Sequence, residues 1–303
     1  ATELAQTDPL TGCLNGRSGG PATDALCARA EAAGSEVAVL LIDVDKFKQV
    51  NDLNGHRTGD AVLTAIATRI RALLPENGVL ARIGGDEFVC ALPFDLGQRA
   101  CVERFAANLI EDVSAPISDG DHAIQATVSL GIASSRNDDG SIVKEGSDRL
   151  IHRADIAMYH AKKRGRKRYY WFQGQMENEL RFRHELESGI RRGLAAGEFV
   201  PFYEQQIDLE TGDLVGFEML ARWHSPQFGL VSPETFIPIA EEMEVIGELS
   251  EGLIRQALQD AQQWHPKLTL SVNISPIQLR DPWFAQKLVK LLDDSGFPPT
   301  RLE

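Results

Sequence analysis

Two aspartates of this 303-residue chain stand where a sheet can present them to a ligand. Asp43 follows the apolar run 37–42, which predicts a strand buried on both faces, and Asp86 follows the pair Gly84-Gly85. Carboxylates at strand ends, beside a glycine turn that lets a ligand approach the backbone, suit Mg²⁺ carrying nucleotide phosphates. On spacing alone a second interpretation stays open, in which Asp43 caps the next helix and Asp86 is an ordinary hairpin residue.

A strongly basic stretch lies downstream of these carboxylates. Six of the seven residues in 162–168, KKRGRKR, are basic. Alone, such a stretch fits a solvated face or a nucleic-acid patch. Taken alone, the solvated face is the default interpretation of this stretch.

The overall charge argues against general nucleic-acid binding. Lys and Arg number 31 and Asp and Glu number 44, so the net charge is 31 − 44 = −13. Residues 1–172 carry 20 basic and 23 acidic side chains, net −3, and residues 173–303 carry 11 and 21, net −10. Binding to nucleic acid requires a basic surface that releases counterions from phosphates. The uneven split instead indicates two units with different roles.

The composition is that of an ordinary globular chain, 43% hydrophobic and 25% charged, and the length predicts two domains. There is no run of about 18 apolar residues and no signal-peptide pattern, so we expect no membrane segment in this chain. The cysteines lack metal-site spacing, which favours reduced thiols and a cytoplasmic location. Because the chain begins without Met on a structured segment, we expect a piece of a longer protein, such as the cytoplasmic part of a sensor.

Hydrophobic periodicity predicts a mixed α/β order in the first half and the start of a β/α alternation in the second. The predicted helices are 21–33, 57–74, 97–113, 146–163, 173–198, 233–242, 245–263 and 283–295. The predicted single strands are 37–42, 168–172, 199–203, 214–220 and 268–274. Two β-hairpins are predicted, at 78–93 around the glycine pair and at 122–135.

Five sequence motifs occur in one order over about 165 residues. They are DPLTGCLN (8–15), IDVDKFKQVND (42–52), GHRTGD (55–60), RIGGDEF (82–88) and ADIAMYHAKKRGR (154–166). Together they closely resemble the GGDEF family of bacterial diguanylate cyclases. The resemblance implies an α/β (α+β) fold with a ferredoxin-like palm of the nucleotide-cyclase type. It also implies a reaction that condenses two GTP into cyclic di-GMP and two pyrophosphates.

The resemblance implies a role for each matching position. Mg²⁺ (or Mn²⁺) would be held by Asp43, Asp86 and the Val44 carbonyl, and Glu87 would handle a proton or a metal. Gly84 and Gly85 would pack against the nucleotide, and Asn51 and Asp60 would read the guanine edge. The terminal phosphates would be bound by Lys162 and Arg166 and lined by Phe47 and Lys48.

The family's pattern also implies how the site is completed and regulated. Each domain would hold one GTP, so synthesis would require a homodimer with two-fold symmetry. The family often has RxxD as an inhibitory product site, but residues 75–78 are Pro-Glu-Asn-Gly, so we expect no product inhibition there. The usual Asn-Arg after LTG is interrupted here, as Asn15-Gly16-Arg17, which we expect to perturb the pairing of domains.

A second group of motifs lies in residues 198–303. FEMLARW (217–223), PETFIPIAEE (233–242) and SVNISPIQL (271–279) resemble the first half of an EAL domain, a cyclic di-GMP phosphodiesterase with a (β/α) barrel. The resemblance implies Glu218 and Asn273 as metal ligands and Arg222 as a phosphate ligand. The family's YQP pattern is Tyr203-Glu204-Gln205 here, which departs from it. Because a full barrel takes about 250 residues, we expect the remaining metal carboxylates beyond Glu303.

These resemblances predict the domain organisation 1–172 GGDEF, 173–197 helical linker and 198–303 incomplete EAL. The leading function is diguanylate cyclase, with GTP and cyclic di-GMP as partners and no nucleic acid. Two alternatives stay open. One is a phosphodiesterase in the full-length protein, with the GGDEF domain as a GTP-binding regulator. The other is a non-catalytic nucleotide-binding signalling module.

Overall fold

The computed structural model describes residues 6–119 and 122–303, which divide into two compact units. The first unit ends at Leu180 and the second begins at Arg181. This boundary falls inside one helix, α6 (Gly174–Ala196). In the described ranges no helix has the length and apolar character needed to cross a membrane.

The first unit is a mixed α/β structure built on a six-stranded sheet. Its strands are β1 (Leu14–Asn15), β2 (Glu36–Val44), β3 (Val79–Arg82), β4 (Glu87–Phe94), β5 (Ile117–Asp119), β6 (His122–Ile124), β7 (Val128–Ser134) and β8 (Tyr169–Trp171). Its helices before α6 are α1 (Gly16–Ala32), α2 (Phe47–Asn54), α3 (His56–Leu73), α4 (Arg99–Ser114) and α5 (Gly146–Lys163). The sheet order is β1-β3-β4-β2-β7-β8, and β5 pairs with β6 separately. This order places β2 in the middle of the sheet, where it pairs antiparallel with β4 and β7.

All nine residues of β2 are buried, because helices cover both faces of the sheet. Successive side chains of a strand point to opposite faces. Leu40 and Ile42 accordingly join a core with residues of α3 and α4, and Val39 and Leu41 join a second core with residues of α1 and α5. The two cores hold β2 from both sides and so determine where its last residues lie.

The predicted hairpin at 78–93 is confirmed, since β3 and β4 pair antiparallel across the glycine turn. The predicted hairpin at 122–135 is wrong. Within it, β6 pairs with β5, whereas β7 lies between β2 and β8. Local alternation identified the two strands but not their partners. Strand β7 is buried between β2 and β8, and this burial outweighs pairing with β6, its neighbour in sequence.

The predicted helices and single strands of the first unit are present, but several boundaries differ. The strand predicted at 37–42 extends over Glu36–Val44 and so includes Asp43, and helix α2 was not predicted. Helix α1 begins at Gly16 and not at Pro21, which lies inside it. The side chain of Asn15 caps this helix by accepting hydrogen bonds from the backbone N–H groups of Arg17 and Ser18, each at 3.1 Å. The cap satisfies two amide donors that the first helical turn leaves unpaired, and it explains the earlier start.

The second unit has a four-stranded sheet with helices. Its elements after α6 are β9 (Phe199–Ile207), β10 (Leu214–Ser225), β11 (Gly229–Val231), α7 (Pro233–Glu242), α8 (Ile246–Ala261), β12 (Thr269–Val272) and α9 (Phe284–Ser295). Strand β10 pairs antiparallel with β9 and β11 and parallel with β12. Its core includes the fully buried Trp223 and Phe236. Within the described residues the sheet does not close into a barrel, and the predicted strands and helices are present.

Close packing of α5 on β7 leaves no room for a side chain at Gly131. A Cβ at this position would lie 1.8 Å from the Ala154 carbonyl oxygen and 2.3 Å from the Met158 amide nitrogen. We expect Gly131→Ala to destabilise the first unit by about 3 kcal/mol, because helix backbone cannot yield as a flexible side chain can. Scanning calorimetry of the whole chain measures this loss.

Gly20→Ala in α1 is the matched control. A Cβ there would meet the Ser147 hydroxyl at an ordinary 3.4 Å, so this variant is expected to be as stable as the parent or slightly more stable. Equal melting temperatures for the two variants would contradict the close packing of α5 on β7.

Candidate functional site

The end of β2 and the turn between β3 and β4 bring three acidic residues together. Asp43 lies opposite Glu87 in the β2–β4 register. The backbone N–H of Val44 donates a hydrogen bond to the carbonyl of Asp86 at 3.2 Å, which ties the glycine turn to the end of β2. Asp43, Asp86 and Glu87 therefore surround one small region at one end of the central strands β2 and β4.

Lys162, near the end of α5, is the cation at this region. Its Nζ lies 2.9 Å from Oδ1 of Asp43, whose side chain is 10% exposed. Burial raises the pKa of Asp43; Lys162 opposes this effect, whereas Asp86 and Asp45 reinforce it. Burial likewise raises the pKa of Glu87, with further contributions from Asp43 and other neighbouring acids. The region therefore holds more negative charge than one lysine neutralises, and a bound cation would relieve it.

Asp45 is a buried carboxylate that sequence analysis did not single out. It accepts hydrogen bonds from the hydroxyls of Thr127 and Ser129, each at 2.6 Å, and from the backbone N–H of Lys167 at 3.3 Å. These bonds join the end of β2 to β7 and to the basic segment. Asp45 lies one residue beyond the end of β2 and two residues from Asp43, and this short spacing was the signal that could have identified it.

Helix α2 is not capped by Asp43. The residue before it, Lys46, has a left-handed φ of 55° and makes no side-chain cap. Phe47 and Asn51 pack from α2 against Gly59 in α3, where a Cβ would lie 1.9 Å from Oδ1 of Asn51. The capping interpretation of Asp43 therefore has no support, and Gly59 is the close-approach point between the two helices.

The oxygen of Asn51 is an unusual feature of this contact. Its Oδ1 is buried and has no hydrogen-bond partner among the described residues. A buried polar atom without a partner costs free energy, so such atoms call for an explanation such as a ligand or a bound water. Asn51, which was predicted to contact the guanine base, therefore has a side-chain oxygen that is free to accept a hydrogen bond from a ligand.

Three other predicted nucleotide-binding side chains are exposed, and no hydrogen bond or ion pair among the described residues ties them to Asp43 or Asp86. Lys48, Asp60 and Arg166 all face solvent. Arg166 has a φ of 60° and lines a separate pocket of about 560 Å³ together with Lys46 and part of α2. Across residues 6–119 and 122–303, no hydrogen bond or ion pair joins the Arg166 side chain to Asp43 or Asp86.

The predicted metal ligands have the right chemistry for Mg²⁺, but they are few. In the part of the chain that the structure describes, no group of three or more His, Cys, Asp and Glu side chains is arranged to hold a metal. The predicted ligands are two carboxylates, of Asp43 and Asp86, and the backbone carbonyl of Val44. All three supply oxygen, which Mg²⁺ prefers, and Mg²⁺ usually keeps several waters and substrate oxygens as further ligands.

Arg82 holds the glycine turn in place, a function that sequence analysis missed. Its Nε and Nη2 donate to the Gly85 carbonyl at 3.2 and 2.6 Å. Its Nη1 lies 3.2 Å from both carboxylate oxygens of Asp8, which also accept from the amide and hydroxyl of Thr11. Both residues occur in the quoted motifs, DPLTG and RIGGDEF, but their contact joins segments far apart in sequence.

In the second unit, the structure brings together the two predicted metal ligands. Nδ2 of Asn273 donates to Oε1 of Glu218 at 2.7 Å, and Glu218 on β10 is in register with Ser271 on the parallel strand β12. Arg222, four residues along β10 from Glu218, lies on the same face of the strand. Its guanidinium donates to the Ala221 carbonyl and stacks 5.6 Å from the ring centre of Phe202.

The Asp8–Arg82 pair predicts a stability that depends on pH. Burial raises the pKa of Asp8, but hydrogen bonds from Thr11 and Arg82 outweigh it and lower the pKa below its usual value. The stabilisation is therefore complete above the unfolded pKa of about 3.9 and disappears as the pH falls through the lower folded pKa. We expect Asp8→Asn to lose about 1–3 kcal/mol of unfolding free energy near neutral pH and little at about pH 2.

Urea unfolding of the parent and variant chains at the two pH values measures this difference. Asp95→Asn, at an exposed carboxylate, is the control and should match the parent at both. A loss for Asp8→Asn that is equally large in acid would show that charge on Asp8 is not the cause.

Comparison with known proteins places both units in families. A family model described as diguanylate cyclase, GGDEF domain, matches residues 5–168, and a model described as EAL domain matches residues 187–303. The bifunctional diguanylate cyclase/cyclic di-GMP phosphodiesterase MucR of Pseudomonas aeruginosa is 34% identical over 269 residues, covering 88% of this chain and 38% of that protein. The chain spans about a third to a half of the length of the curated relatives it matches.

Solved structures agree with the fold of the first unit. The GGDEF domain of PA1120 (TpbB or YfiN) from Pseudomonas aeruginosa has a TM-score of 0.53 and 34% identity, covering 58% of this chain and 99% of that one. The coiled coil and GGDEF domain of DgcB from Caulobacter crescentus, solved with cyclic di-GMP, has a TM-score of 0.50 and 29% identity, covering 56% and 87%. These likenesses confirm the predicted cyclase palm. The chain belongs to the GGDEF diguanylate cyclase family, and its second unit is an EAL domain.

Proposed function

We propose that the first unit is a diguanylate cyclase that condenses two GTP into cyclic di-GMP and two pyrophosphates with Mg²⁺ (or Mn²⁺). The observation that carries the proposal is the buried Asp43, which lies beside the Asp86 turn and in contact with Lys162. The relative MucR is described as a bifunctional diguanylate cyclase/cyclic di-GMP phosphodiesterase, which supports the same chemistry.

The donor set is suited to the implied metal. Asp43, Asp86 and the Val44 carbonyl would hold Mg²⁺ through oxygen, the ligand type it prefers. When bound, the metal neutralises triphosphate charge and polarises the phosphorus under attack. The raised pKa of Asp43, caused chiefly by burial and only partly offset by Lys162, indicates a carboxylate that a further cation would stabilise in its charged form.

The chain's own residues position the substrate. Lys162 and Arg166, with Phe47 and Lys48 alongside, would bind the terminal phosphates. Asn51 and Asp60 would read guanine, since an aspartate accepts from both the N1–H and the 2-amino group of guanine, and adenine lacks this pair of adjacent donors. At Gly85 an added Cβ would meet no atom within 4 Å, which leaves open space beside the turn for the nucleotide. Glu87 would take or pass on a proton.

Synthesis requires two such sites to face each other. Each unit would contribute one GTP, whose 3′-hydroxyl attacks the α-phosphorus of the other GTP. Two-fold symmetry performs both attacks with the same residues. At enzyme concentrations below the dimer's dissociation constant, the rate should therefore rise with about the square of enzyme concentration.

The Asp86→Asn variant tests the assignment. We expect it to reduce cyclic di-GMP formation from GTP and Mg²⁺ by roughly a hundredfold or more, because a metal ligand loses its charge. Chromatography of the products, over a range of enzyme concentrations, measures both the loss and the dependence on concentration. Asp112→Asn, at an exposed position on α4, should retain the parent rate.

Two results distinguish the alternatives. GTP that binds with its normal affinity but yields no cyclic di-GMP at any concentration would refute synthesis and favour the GTP-binding regulator. Full activity in Asp86→Asn would refute the metal assignment while leaving synthesis standing.

For the second unit we propose the N-terminal part of a cyclic di-GMP phosphodiesterase domain. The contact between Glu218 and Asn273 favours this function over a purely structural strand. Two-metal hydrolysis needs more carboxylates than the single one that this pair contains, and no group of three or more His, Cys, Asp and Glu side chains arranged to hold a metal occurs in the described ranges. We therefore expect this chain to release no linear pGpG from cyclic di-GMP, and chromatography after incubation with Mg²⁺ or Mn²⁺ checks that outcome. Release of pGpG that disappears in Glu218→Gln would contradict it.

A further inference from the structure

A small pocket of about 140 Å³ lies in the first unit, away from the acidic region. It is bounded by the end of β7, the beginning of α4, one side of α5 and the end of β8. The residues that matter for its chemistry are Arg99, Arg136, Arg153, Asp138, Trp171 and Phe172. Strand pairing places it at the opposite end of the sheet, because Val44 is in register with Val128 and Ala38 with Ser134. Six residues of extended strand separate these positions by about 20 Å.

Three arginines surround this pocket, and two of them have only neutral partners among the described residues. Nη1 of Arg153 donates to Oδ1 of Asn137 at 2.7 Å, and Nη1 of Arg136 donates to the Gly140 carbonyl at 3.1 Å. Arg153 is half-buried, and its Nε is buried with no hydrogen-bond partner in the described residues. Charge that is partly removed from water without a counter-ion is costly, so an anion entering the pocket would be stabilised.

Of the carboxylates near the pocket, Asp138 is the one within ion-pair distance of a pocket arginine among the described residues. Asp138 lies 3.5 Å from Arg99, but its side chain is 81% exposed, so the pair is weak. Glu36 accepts from the hydroxyl of Ser134 at 2.7 Å, and Glu103 accepts from the indole N–H of Trp171 at 3.1 Å. Both are thus bonded to neutral donors that belong to the wall of the pocket.

Aromatic rings orient two of the arginines. The guanidinium of Arg99 lies 5.0 Å from the ring centre of Trp171, and that of Arg153 lies 5.1 Å from the ring centre of Phe172. A guanidinium over a ring keeps its plane restricted while the N–H groups at its edge stay available. The donors are therefore partly ordered before a ligand arrives, which lowers the entropy cost of binding.

We propose that this arginine pocket binds a phosphate group. The planar fork of a guanidinium matches two oxygens of a phosphate, and three such forks converge on a space that accommodates one tetrahedral oxyanion. The phosphate can be free, as inorganic phosphate, or carried on a nucleotide whose remaining atoms stay outside the pocket. The site shares no residue with the proposed cyclase site, so the inference stands or falls independently of that function.

The indole N–H of Trp171 supplies a direct readout, because Arg99 stacks on this ring. Its resonance in the ¹⁵N-labelled whole chain is assigned by its loss in Trp171→Phe. Titration with inorganic phosphate, at constant ionic strength kept with chloride, should shift the resonance saturably. Arg153→Gln should weaken the apparent affinity about tenfold or more, as expected for loss of a charge-assisted hydrogen-bonding pair.

Matched variants keep the test decisive. Arg29→Gln, at an exposed arginine of α1, should bind phosphate as the parent does. Arg99→Gln removes the most exposed of the three guanidiniums and serves if Arg153→Gln does not fold. Guanosine monophosphate distinguishes the sources, since tighter binding than inorganic phosphate indicates a nucleotide-borne group and equal binding indicates the free ion.

Two results would overturn the proposal. One is a Trp171 resonance that phosphate moves no more than chloride does. The other is a saturable shift that is the same in the parent, Arg153→Gln and Arg99→Gln.

Discussion

The position of one buried strand determines the rest of the first unit. β2 has nine buried residues and lies between two hydrophobic cores, so it cannot slip or turn without exposing one of them. Asp43 is the last residue but one of this strand, and its carboxylate is therefore held where the strand ends. The glycine turn, Lys162 and helix α2 are all arranged around that fixed point.

The electrostatics of the region follow from this placement. A carboxylate at the end of a buried strand is poorly hydrated, and burial raises the pKa of Asp43 even though Lys162 contacts it. Asp45, by contrast, accepts hydrogen bonds from the hydroxyls of Thr127 and Ser129. The contrast separates a carboxylate that is satisfied by the fold from carboxylates that a bound cation would stabilise.

The two ends of the sheet in the first unit carry charge of opposite sign. Acids gather where β2 ends, and three arginines gather about 20 Å away, where β7 and β8 end. The two groups are separated by the length of the hydrophobic sheet. In the second unit, the pairing of Glu218 with Asn273 arises in the same way, from neighbouring strands whose register brings their polar residues together.

The sequence by itself determined the family, identified most helices and strands and predicted most candidate residues, because local periodicity and runs of apolar residues occur within short stretches of chain. It did not reveal helix α2 or strand β11. The strand at 37–42, the hairpin around Gly84-Gly85 and helix 146–163 needed no long-range information. Strand partners did, which is why the hairpin at 122–135 was wrong: β7 is buried by β2 and β8, far from it in sequence. The Asp8–Arg82 ion pair and the arginine pocket were likewise visible only in the tertiary structure, since they join residues that become neighbours only when the sheet and its helices pack.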